Sequence, residues 1–189
     1  MVGFKDAIME WKILESKYLY NEPCLTIRKE KCELPNGTVM PAYYIIEYPT
    51  WVSALALTSD GKAVLVKQYR HGLGVVSIEL PGGVVDAGET PEQGIRRELK
   101  EETGYAFETV DYLGKISPNP ATSTNYMHMY LARGGEKVSA QSLDETEDVE
   151  VVLYSLDEVK QLLKENRIVQ SLHCTTLFYA LHKLGEMNF

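Results

Sequence analysis

The stretch that decides the fold runs from residue 81 to residue 105 and reads PGGVVDAGETPEQGIRRELKEETGY. Its beginning is rich in glycine, which lets the backbone turn tightly and come close to a ligand. Thr90 has the features of a helix N-cap, because proline follows at the first helical position and glutamine stands where a capping box needs it. Gly104 stands where helices commonly end in a left-handed residue. This pattern predicts a helix over residues 91–103.

Three glutamates, Glu98, Glu101 and Glu102, share one face of this predicted helix. Their spacing places them within an arc of about 100°. Like charges at this spacing disfavour a helix, so a positive partner is expected opposite them, and divalent cations with oxygen ligands are natural candidates. The alternative is a solvated acidic face, which is common in acidic proteins. The glycine turn and the two caps favour the metal site, because a solvated face does not require such fixed ends.

The motif G-x5-E-x7-R-E-L-x-E-E-x-G-Y, from Gly83 to Tyr105, resembles the Nudix box, the signature of the Nudix hydrolases. The one departure is Tyr105, where the family usually carries an aliphatic residue in a packing position. The resemblance implies hydrolysis of a nucleoside diphosphate linked to another group, using Mg²⁺ or Mn²⁺. Two or more ions are expected on Glu98, Glu101 and Glu102, with the backbone carbonyl of Gly82 as a further ligand.

Charge gives this implication a physical reason. The chain has a formal net charge of −8, so its overall field cannot attract a diphosphate. Divalent ions on the three glutamates would reverse the local sign, bridge phosphate oxygens and lower the pKa of a bound water. Arg97, next to these glutamates, is expected to orient Glu89 or one of the three through an ion pair.

The composition is that of a single compact enzyme. The chain has 189 residues, of which 24% are charged and 44% apolar. A secretory signal peptide, a membrane span and a nucleic-acid partner are not expected, because long apolar runs and basic clusters are absent from the sequence. Cys24, Cys32 and Cys174 are interpreted as reduced thiols of a cytoplasmic protein, and a disulfide between the first two is the less favoured alternative.

The pattern of apolar residues and turns predicts a mixed sheet with helices on its faces. We expect an α+β protein in which residues 49–189 form the α/β/α sandwich of the Nudix fold. Helices are predicted at residues 91–103, 156–164 and 170–184. Strands are predicted at residues 12–20, 24–34, 38–48, 52–57, 63–66, 107–116, 126–132 and 148–154.

Residues 1–48 are predicted to form a small extra antiparallel sheet. The Asn36–Gly37 pair is a strong hairpin signal within it. Residues 43–46 (YYII) are more apolar than an exposed appendage should be, so they are expected to pack on the chain's own core or on a second subunit. In similar Nudix hydrolases of nucleotide sugars, such a sheet is exchanged between subunits. We therefore predict a homodimer.

Sequence outside the box resembles the ADP-ribose pyrophosphatase branch, which implies a cut to AMP and ribose 5-phosphate. The resemblance rests on VKQYRH at residues 66–71, IELPGG at residues 78–83, Pro120 and the N-terminal sheet. Residues 117–125, expected to border the terminal sugar, lack the acidic residue often found there. Another nucleotide sugar such as GDP-mannose therefore stays open. A non-catalytic binding module is the other alternative, although the complete set of box glutamates favours an enzyme.

Three residues before the box are candidates for substrate contacts. Arg70 is expected to bind phosphate or ribose, because a guanidinium suits bidentate phosphate recognition, although it could simply end a strand at the surface. Glu79 is expected either to accept hydrogen bonds from the substrate or to pair with a nearby basic residue. Trp51 could stack on a base, but packing is the favoured interpretation.

The acidic run at residues 144–148 (DETED) offers a general base. The alternative is a solvated loop. A mobile carboxylate there could swing over the metals and activate water, and closure of the loop would exclude solvent. The resemblance favours Glu145, with Glu147 second. His128 and His173 lie in apolar stretches and are interpreted as packed, hydrogen-bonded histidines.

Overall fold

The structure, a computed structural model, describes residues 9–23 and 25–187. The chain divides into two compact units. The first contains the described residues up to 48 together with residues 119–125, and the second contains residues 49–118 and 126–187. Cys24 lies outside the described residues, so its predicted thiol and its pairing with Cys32 stay predictions. Cys32 is buried and Cys174 half-buried, and neither forms a disulfide with another described residue.

The first unit is a three-stranded antiparallel sheet in the order β1–β2–β3. Its strands are β1 (Lys12–Glu22), β2 (Leu25–Glu33) and β3 (Val39–Glu47). The predicted Asn-Gly turn joins β2 to β3, and the Gly37 amide donates to the Leu34 carbonyl at 2.9 Å.

Residues 119–125 belong to this first unit because they bind the end of β3. The Ile46 amide donates to the Thr122 carbonyl at 2.7 Å, and the Thr124 amide donates to the Ile46 carbonyl at 3.2 Å. The Tyr43 hydroxyl donates to the Ala121 carbonyl. The unit therefore contains more than the predicted 1–48 extension, and a segment expected to border the sugar is hydrogen-bonded to a strand of the N-terminal sheet.

The second unit is a mixed sheet. Its core runs in the order β6–β5–β4–β8–β7, with β9 paired to β5, and only the β4–β8 pair is parallel. The strands are β4 (Trp51–Thr58), β5 (Ala63–Arg70), β6 (Val75–Glu79), β7 (Tyr105–Ile116), β8 (Met127–Lys137) and β9 (Val149–Tyr154). The helices are α1 (Pro91–Thr103), α2 (Leu156–Lys164) and α3 (Ser171–Lys183).

Both faces of this sheet are covered by helices. Alternation along β4 sends Leu55 and Leu57 into a core with α2 and α3. The opposite face of β4 packs with Ile95 and Leu99 of α1. The predicted α/β/α sandwich, with a separate small antiparallel sheet, is confirmed. Within the described chain, every helix is too short or too polar to cross a bilayer.

Helix α1 begins and ends where the sequence predicts. Thr90 accepts a hydrogen bond from the Gln93 amide, and the Gln93 side chain accepts one from the Thr90 amide, so both halves of the capping box are present. At the other end, Gly104 adopts φ +75° and its amide donates to the Lys100 carbonyl. The rotation of α1, and hence the direction of its acidic face, follows from the burial of Ile95 and Leu99.

Candidate functional site

A cavity of about 730 Å³ opens in the second unit where α1, the glycine turn, the acidic loop and the start of α3 meet. Six of the predicted site residues line it, namely Arg70, Gly82, Arg97, Glu98, Glu101 and Glu102. Two others do not. Glu79 is buried beneath Arg70, and Glu145 lies on the exposed part of the acidic loop.

The glycine turn brings backbone against both β4 and the acidic helix. A Cβ on Gly82 would collide with the Val52 carbonyl, and one on Gly83 would lie 2.6 Å from Glu98 Oε1. Neither position can therefore carry a side chain without displacing its neighbour. The carbonyls on either side of Gly82 accept hydrogen bonds from β4 amides, and the Gly82 carbonyl takes no part in that pairing.

Arg97 gathers the carboxylates of the box. Its Nε and Nη2 donate to the two oxygens of Glu89 at 3.0 and 3.1 Å, which is one of the two alternatives that the sequence left open for Arg97. Its Nη1 donates to Glu98 Oε1 at 3.0 Å and to Glu101 Oε2 at 2.9 Å. Hydrogen bonds to Glu89 above all, and to Glu101 and Glu98, raise the pKa of Arg97. The guanidinium is thus a fixed positive centre that holds two of the three glutamates in place.

Glu102 is the most buried of the three glutamates, with 7% of its surface exposed. Its Oε2 accepts a hydrogen bond from the Gly82 amide at 2.9 Å. Burial, joined by the charges of Glu98 and Glu147, raises the pKa of Glu102 to about 8. Burial also raises the pKa of Glu98, against the opposing effect of Arg97. The positive groups near these two carboxylates therefore do not fully compensate for their burial.

The chemistry of this donor set fits a hard divalent cation. Carboxylate oxygens and a free backbone carbonyl are the ligands that Mg²⁺ and Mn²⁺ prefer, and a cation would supply the charge that Glu98 and Glu102 lack. In the described part of the chain, no three Asp, Glu, His or Cys side chains form a ready ion-binding group, and Arg97 and the Gly82 amide donate hydrogen bonds to oxygens of the three glutamates.

Arg70 is held at the cavity by a buried carboxylate. Its Nε and Nη2 donate to Glu79 Oε1 and Oε2 at 2.8 and 2.5 Å, and only 3% of the Glu79 side chain is exposed. Although burial opposes it, hydrogen bonding from Arg70 lowers the pKa of Glu79. Of the two predicted roles for Glu79, the geometry matches the partner of a basic residue.

His173 completes this buried group. Its Nδ1 lies 3.8 Å from Glu79 Oε2 and has no hydrogen-bond partner among the described residues, and the residue lines the cavity. Burial lowers the pKa of His173 to about 4, despite the opposing charge of Glu79. The predicted packed histidine is therefore neutral, but within the described part of the chain its Nδ1 lacks the hydrogen bond that was also predicted. His128 is half-buried and packs on the Tyr112 ring, with centroids 5.7 Å apart.

The acidic loop contributes Asp144 and Glu147 to the cavity lining. The Glu147 amide donates to the Asp144 carbonyl at 2.9 Å, and the Asp144 amide donates to Glu147 Oε2 at 3.1 Å, which closes a turn. The charge of Glu147 acts on both Glu98 and Glu102, so this carboxylate faces the acidic side of α1.

Several lining residues were missed by sequence reasoning. Asp86 lies 3.5 Å from Arg97 and could have been suspected from its place inside the box. Gln170 comes from the start of α3, and no pattern in the sequence links it to the box. Gln68 on β5 belongs to the VKQYRH stretch and His173 is interpreted as packed, but the sequence assigns neither of them to the cavity. Trp51 lines the cavity beside Met127, its partner in the β4–β8 register, which leaves both stacking and packing open.

Comparison with known proteins identifies related chains over both units. The family model described as the NUDIX domain matches residues 48–172. A second model, the nucleoside diphosphate sugar hydrolase N-terminal domain, matches residues 11–46.

Two bacterial proteins are similar over most of their length. A methanol dehydrogenase activator of Bacillus methanolicus is 34% identical over 165 residues, which cover 87% of this chain and 89% of that protein. An ADP-ribose pyrophosphatase of Bacillus subtilis (strain 168) is 31% identical over 164 residues, covering 85% and 86%. A crystal structure of an ADP compounds hydrolase superposes with a TM-score of 0.82 at 23% identity, covering 94% of this chain and 97% of that one, which shows the shared fold.

Proposed function

The chain belongs to the Nudix hydrolases, and on that basis we propose that it cuts the pyrophosphate bond of a nucleoside diphosphate sugar. The proposed substrate is ADP-ribose, and the products are AMP and ribose 5-phosphate. The ADP-ribose pyrophosphatase of Bacillus subtilis (strain 168) and the match to a nucleoside diphosphate sugar hydrolase N-terminal domain support this choice.

One observation carries the proposal. The cavity has a wall of three box glutamates and, elsewhere on its surface, the Arg70 guanidinium, which Glu79 holds by two hydrogen bonds. Both kinds of group suit a diphosphate. Acidic side chains can collect cations, and a held guanidinium can bind phosphate oxygens directly. The Arg70 side chain is 47% exposed, so it remains accessible to a ligand while it is paired.

We propose that Glu98, Glu101, Glu102 and the Gly82 carbonyl hold two or more Mg²⁺ or Mn²⁺ ions. When bound, such ions neutralise the charge of the diphosphate and make water more acidic. Arg97 keeps Glu98 and Glu101 on the cavity side of α1. The Gly82 amide fixes Glu102 and so joins the glycine turn to the helix.

The acidic loop supplies the general base in this proposal, and it offers two candidates. The family resemblance favours Glu145. The geometry favours Glu147, because its carboxylate already lines the cavity and faces Glu98 and Glu102. A base must reach the water from which it removes a proton, so an exposed Glu145 requires movement of the loop, whereas Glu147 requires little.

We further propose that the N-terminal sheet forms a homodimer of a cytoplasmic enzyme. The described strand β1 exposes Ile13, Tyr18, Leu19 and Tyr20 to solvent in the single chain, with exposed fractions between 42% and 56%. Several large apolar side chains exposed on one strand support an interface, because large exposed apolar patches commonly mark interaction sites. Sedimentation at low protein concentration should give the mass of two chains, and a persistent monomer would overturn the proposal.

Two alternatives follow from specific observations. A different nucleotide sugar such as GDP-mannose is one, because residues 117–125 lack the acidic residue expected beside the sugar. A module that binds without hydrolysis is the other, because the relative from Bacillus methanolicus bears the name of an activator. The complete box and the accessible Arg70 favour hydrolysis.

Release of phosphate from a panel of substrates tests the proposed function. ADP-ribose, GDP-mannose, other nucleotide sugars and dinucleoside polyphosphates are each incubated with the protein and with Mg²⁺ or Mn²⁺, and a phosphatase then acts on the products. ADP-ribose should be cut fastest, and chelation of the ions should stop the reaction. Binding of a nucleotide sugar without turnover under every condition would favour the non-catalytic module.

A further inference from the structure

The segment at residues 138–142 closes the C-terminal end of α1. The last carbonyls of a helix have no partner within the helix and must bind elsewhere. The Val138 and Ser139 amides both donate to the Gly104 carbonyl, at 2.9 and 3.2 Å, and the Ser142 amide donates to the Glu101 carbonyl at 2.8 Å. The chain leading into the acidic loop is thus fixed against the helix that carries the box glutamates.

Gln141 ties this segment to a third element. Its Nε2 donates to the Glu102 carbonyl at 2.7 Å and to the Val149 carbonyl at 2.9 Å. A primary amide has two hydrogens to donate, and both are used here. One side chain therefore connects the last turn of α1 with the first residue of β9.

The residues enclosed by this connection are those of the acidic loop. Residues 143–148 lie between Gln141 and Val149, and Asp144 and Glu147 among them line the cavity. The hydrogen bonds between Asp144 and Glu147 shape the turn but do not attach it to α1. The distance between the loop carboxylates and the box glutamates consequently depends on how the two ends of the loop are anchored.

We propose that Gln141 is a positioning residue, which holds both ends of the acidic loop against α1 so that the loop carboxylates face Glu98 and Glu102. The proposal rests on the proposed function, in which the loop supplies the general base. Gln141 itself does not touch the substrate. Its effect is geometric, because a displacement of a catalytic group by about 1 Å can lower the rate about a hundredfold.

The matched variant is Gln141→Met, which keeps the length of the side chain and removes both donors. We expect kcat to fall about ten- to a hundredfold, with KM changed less than about twofold. Gln141→Lys restores a donor of similar reach and should recover most of the turnover. Gln161→Met is the control, because Gln161 lies on α2 and its amide donates to Glu165 at 2.8 Å, away from the loop. It should leave kcat unchanged.

A combined variant tests whether Gln141 acts through the loop. In a chain that carries Glu145→Gln and Glu147→Gln, both candidates for the general base are already lost, so adding Gln141→Met should lower kcat no further. A further loss of the same size in that background would show that Gln141 acts through another group. Unchanged kcat in Gln141→Met alone would also overturn the proposal.

Failure of the proposed function is recognised separately. If the unaltered protein hydrolyses no nucleotide sugar, the proposed activity is wrong. Amide hydrogen exchange then tests separately whether Gln141 anchors the loop. Exchange at residues 143–148 should be faster in Gln141→Met than in the unaltered protein, while exchange in α1 stays the same. Equal exchange in the loop would contradict the anchoring itself.

Discussion

Helix α1 and the loop at residues 144–148 both bring carboxylates to the cavity, but the two sets are held differently. On α1, the Glu98 side chain is 13% exposed, and Glu98 and Glu102 each accept a hydrogen bond from a fixed donor. In the loop, Asp144 and Glu147 are exposed and are bonded to each other through backbone amides.

The difference lies in the cost of desolvation. A charged carboxylate loses favourable hydration when it is buried and then requires a nearby positive group. The helix glutamates meet this condition only in part, through Arg97 and the Gly82 amide, so they are suited to hold cations. The loop carboxylates keep their hydration and can move at little cost, which suits a group that must approach the substrate and withdraw. Similar residues thus differ in burial and hydrogen bonding because their surroundings differ, and the roles proposed for them follow that difference.

The largest expected effect comes from Glu102→Gln, which removes the charge of the most buried helix glutamate and keeps its shape. Turnover should fall about a thousandfold, because the cation site loses a ligand charge. The melting temperature should not fall, since a neutral amide costs less to bury than a carboxylate and can still accept the Gly82 hydrogen bond.

Glu92→Gln is the control for this change. Glu92 stands in the first turn of the same helix, 56% exposed and outside the cavity lining, so its loss should leave turnover unaltered. A fall in melting temperature for Glu102→Gln with normal turnover would give Glu102 a structural role instead.

A smaller effect is expected from the loop. Glu145→Gln and Glu147→Gln are compared side by side, and the variant that lacks the base should lose about a hundredfold in kcat. The concentration of Mg²⁺ needed for half-activation should change little, because the helix glutamates remain. Glu150→Gln is the control, since Glu150 lies on β9 and pairs with Lys67 at the surface. Near-normal turnover in both loop variants would remove the loop from the mechanism.

The smallest expected effect is on the stability of the protein. It tests whether burial shifts the pKa of His173 as it shifts those of Glu98 and Glu102. His173 faces Glu79 and Arg70, and burial lowers its pKa to about 4. The neutral His173 contributes to the free energy of unfolding above a pH of about 6.5, the pKa of a histidine in the unfolded chain. This contribution is lost as the pH falls towards about 4, because the unfolded chain binds the proton first. The loss should reach at most about 3 kcal/mol.

Chemical denaturation of the His173→Asn variant between pH 7 and pH 4 measures this effect. The variant should lose less stability over that interval than the unaltered protein. His71→Asn, which changes an exposed histidine, should follow the unaltered protein. Identical pH profiles for His173→Asn and the unaltered protein would show that His173 binds its proton equally well in the folded state.

Features set by interactions between residues close in the sequence were predicted, and features set by contacts between distant residues were not. The bounds of α1 agree with the prediction because Thr90, Pro91 and Gly104 act on backbone groups a few residues away. Strand β6 was not predicted. It is five residues long and its first two valines are exposed, so its pairing with β5 is decided by the neighbouring strand.

The same distinction applies to the site. Arg97 and Glu89 lie eight residues apart within one motif, and their ion pair is one of the alternatives that the sequence offers for Arg97. The contact between His173 and Glu79 joins residues 94 positions apart, and no local sequence pattern predicts it. The sequence also left Glu145 and Glu147 as alternatives, whereas the folded loop directs Glu147 to the cavity.

By itself, the sequence determined the family, the helix with its three glutamates, and Arg97 beside them, because spacing along a helix sets which side chains share a face. Only the tertiary structure decided which carboxylates are desolvated, how Arg70 is held and which amide anchors the acidic loop. Those properties depend on groups brought together from distant parts of the chain, and desolvation is a property of the whole surroundings of an atom.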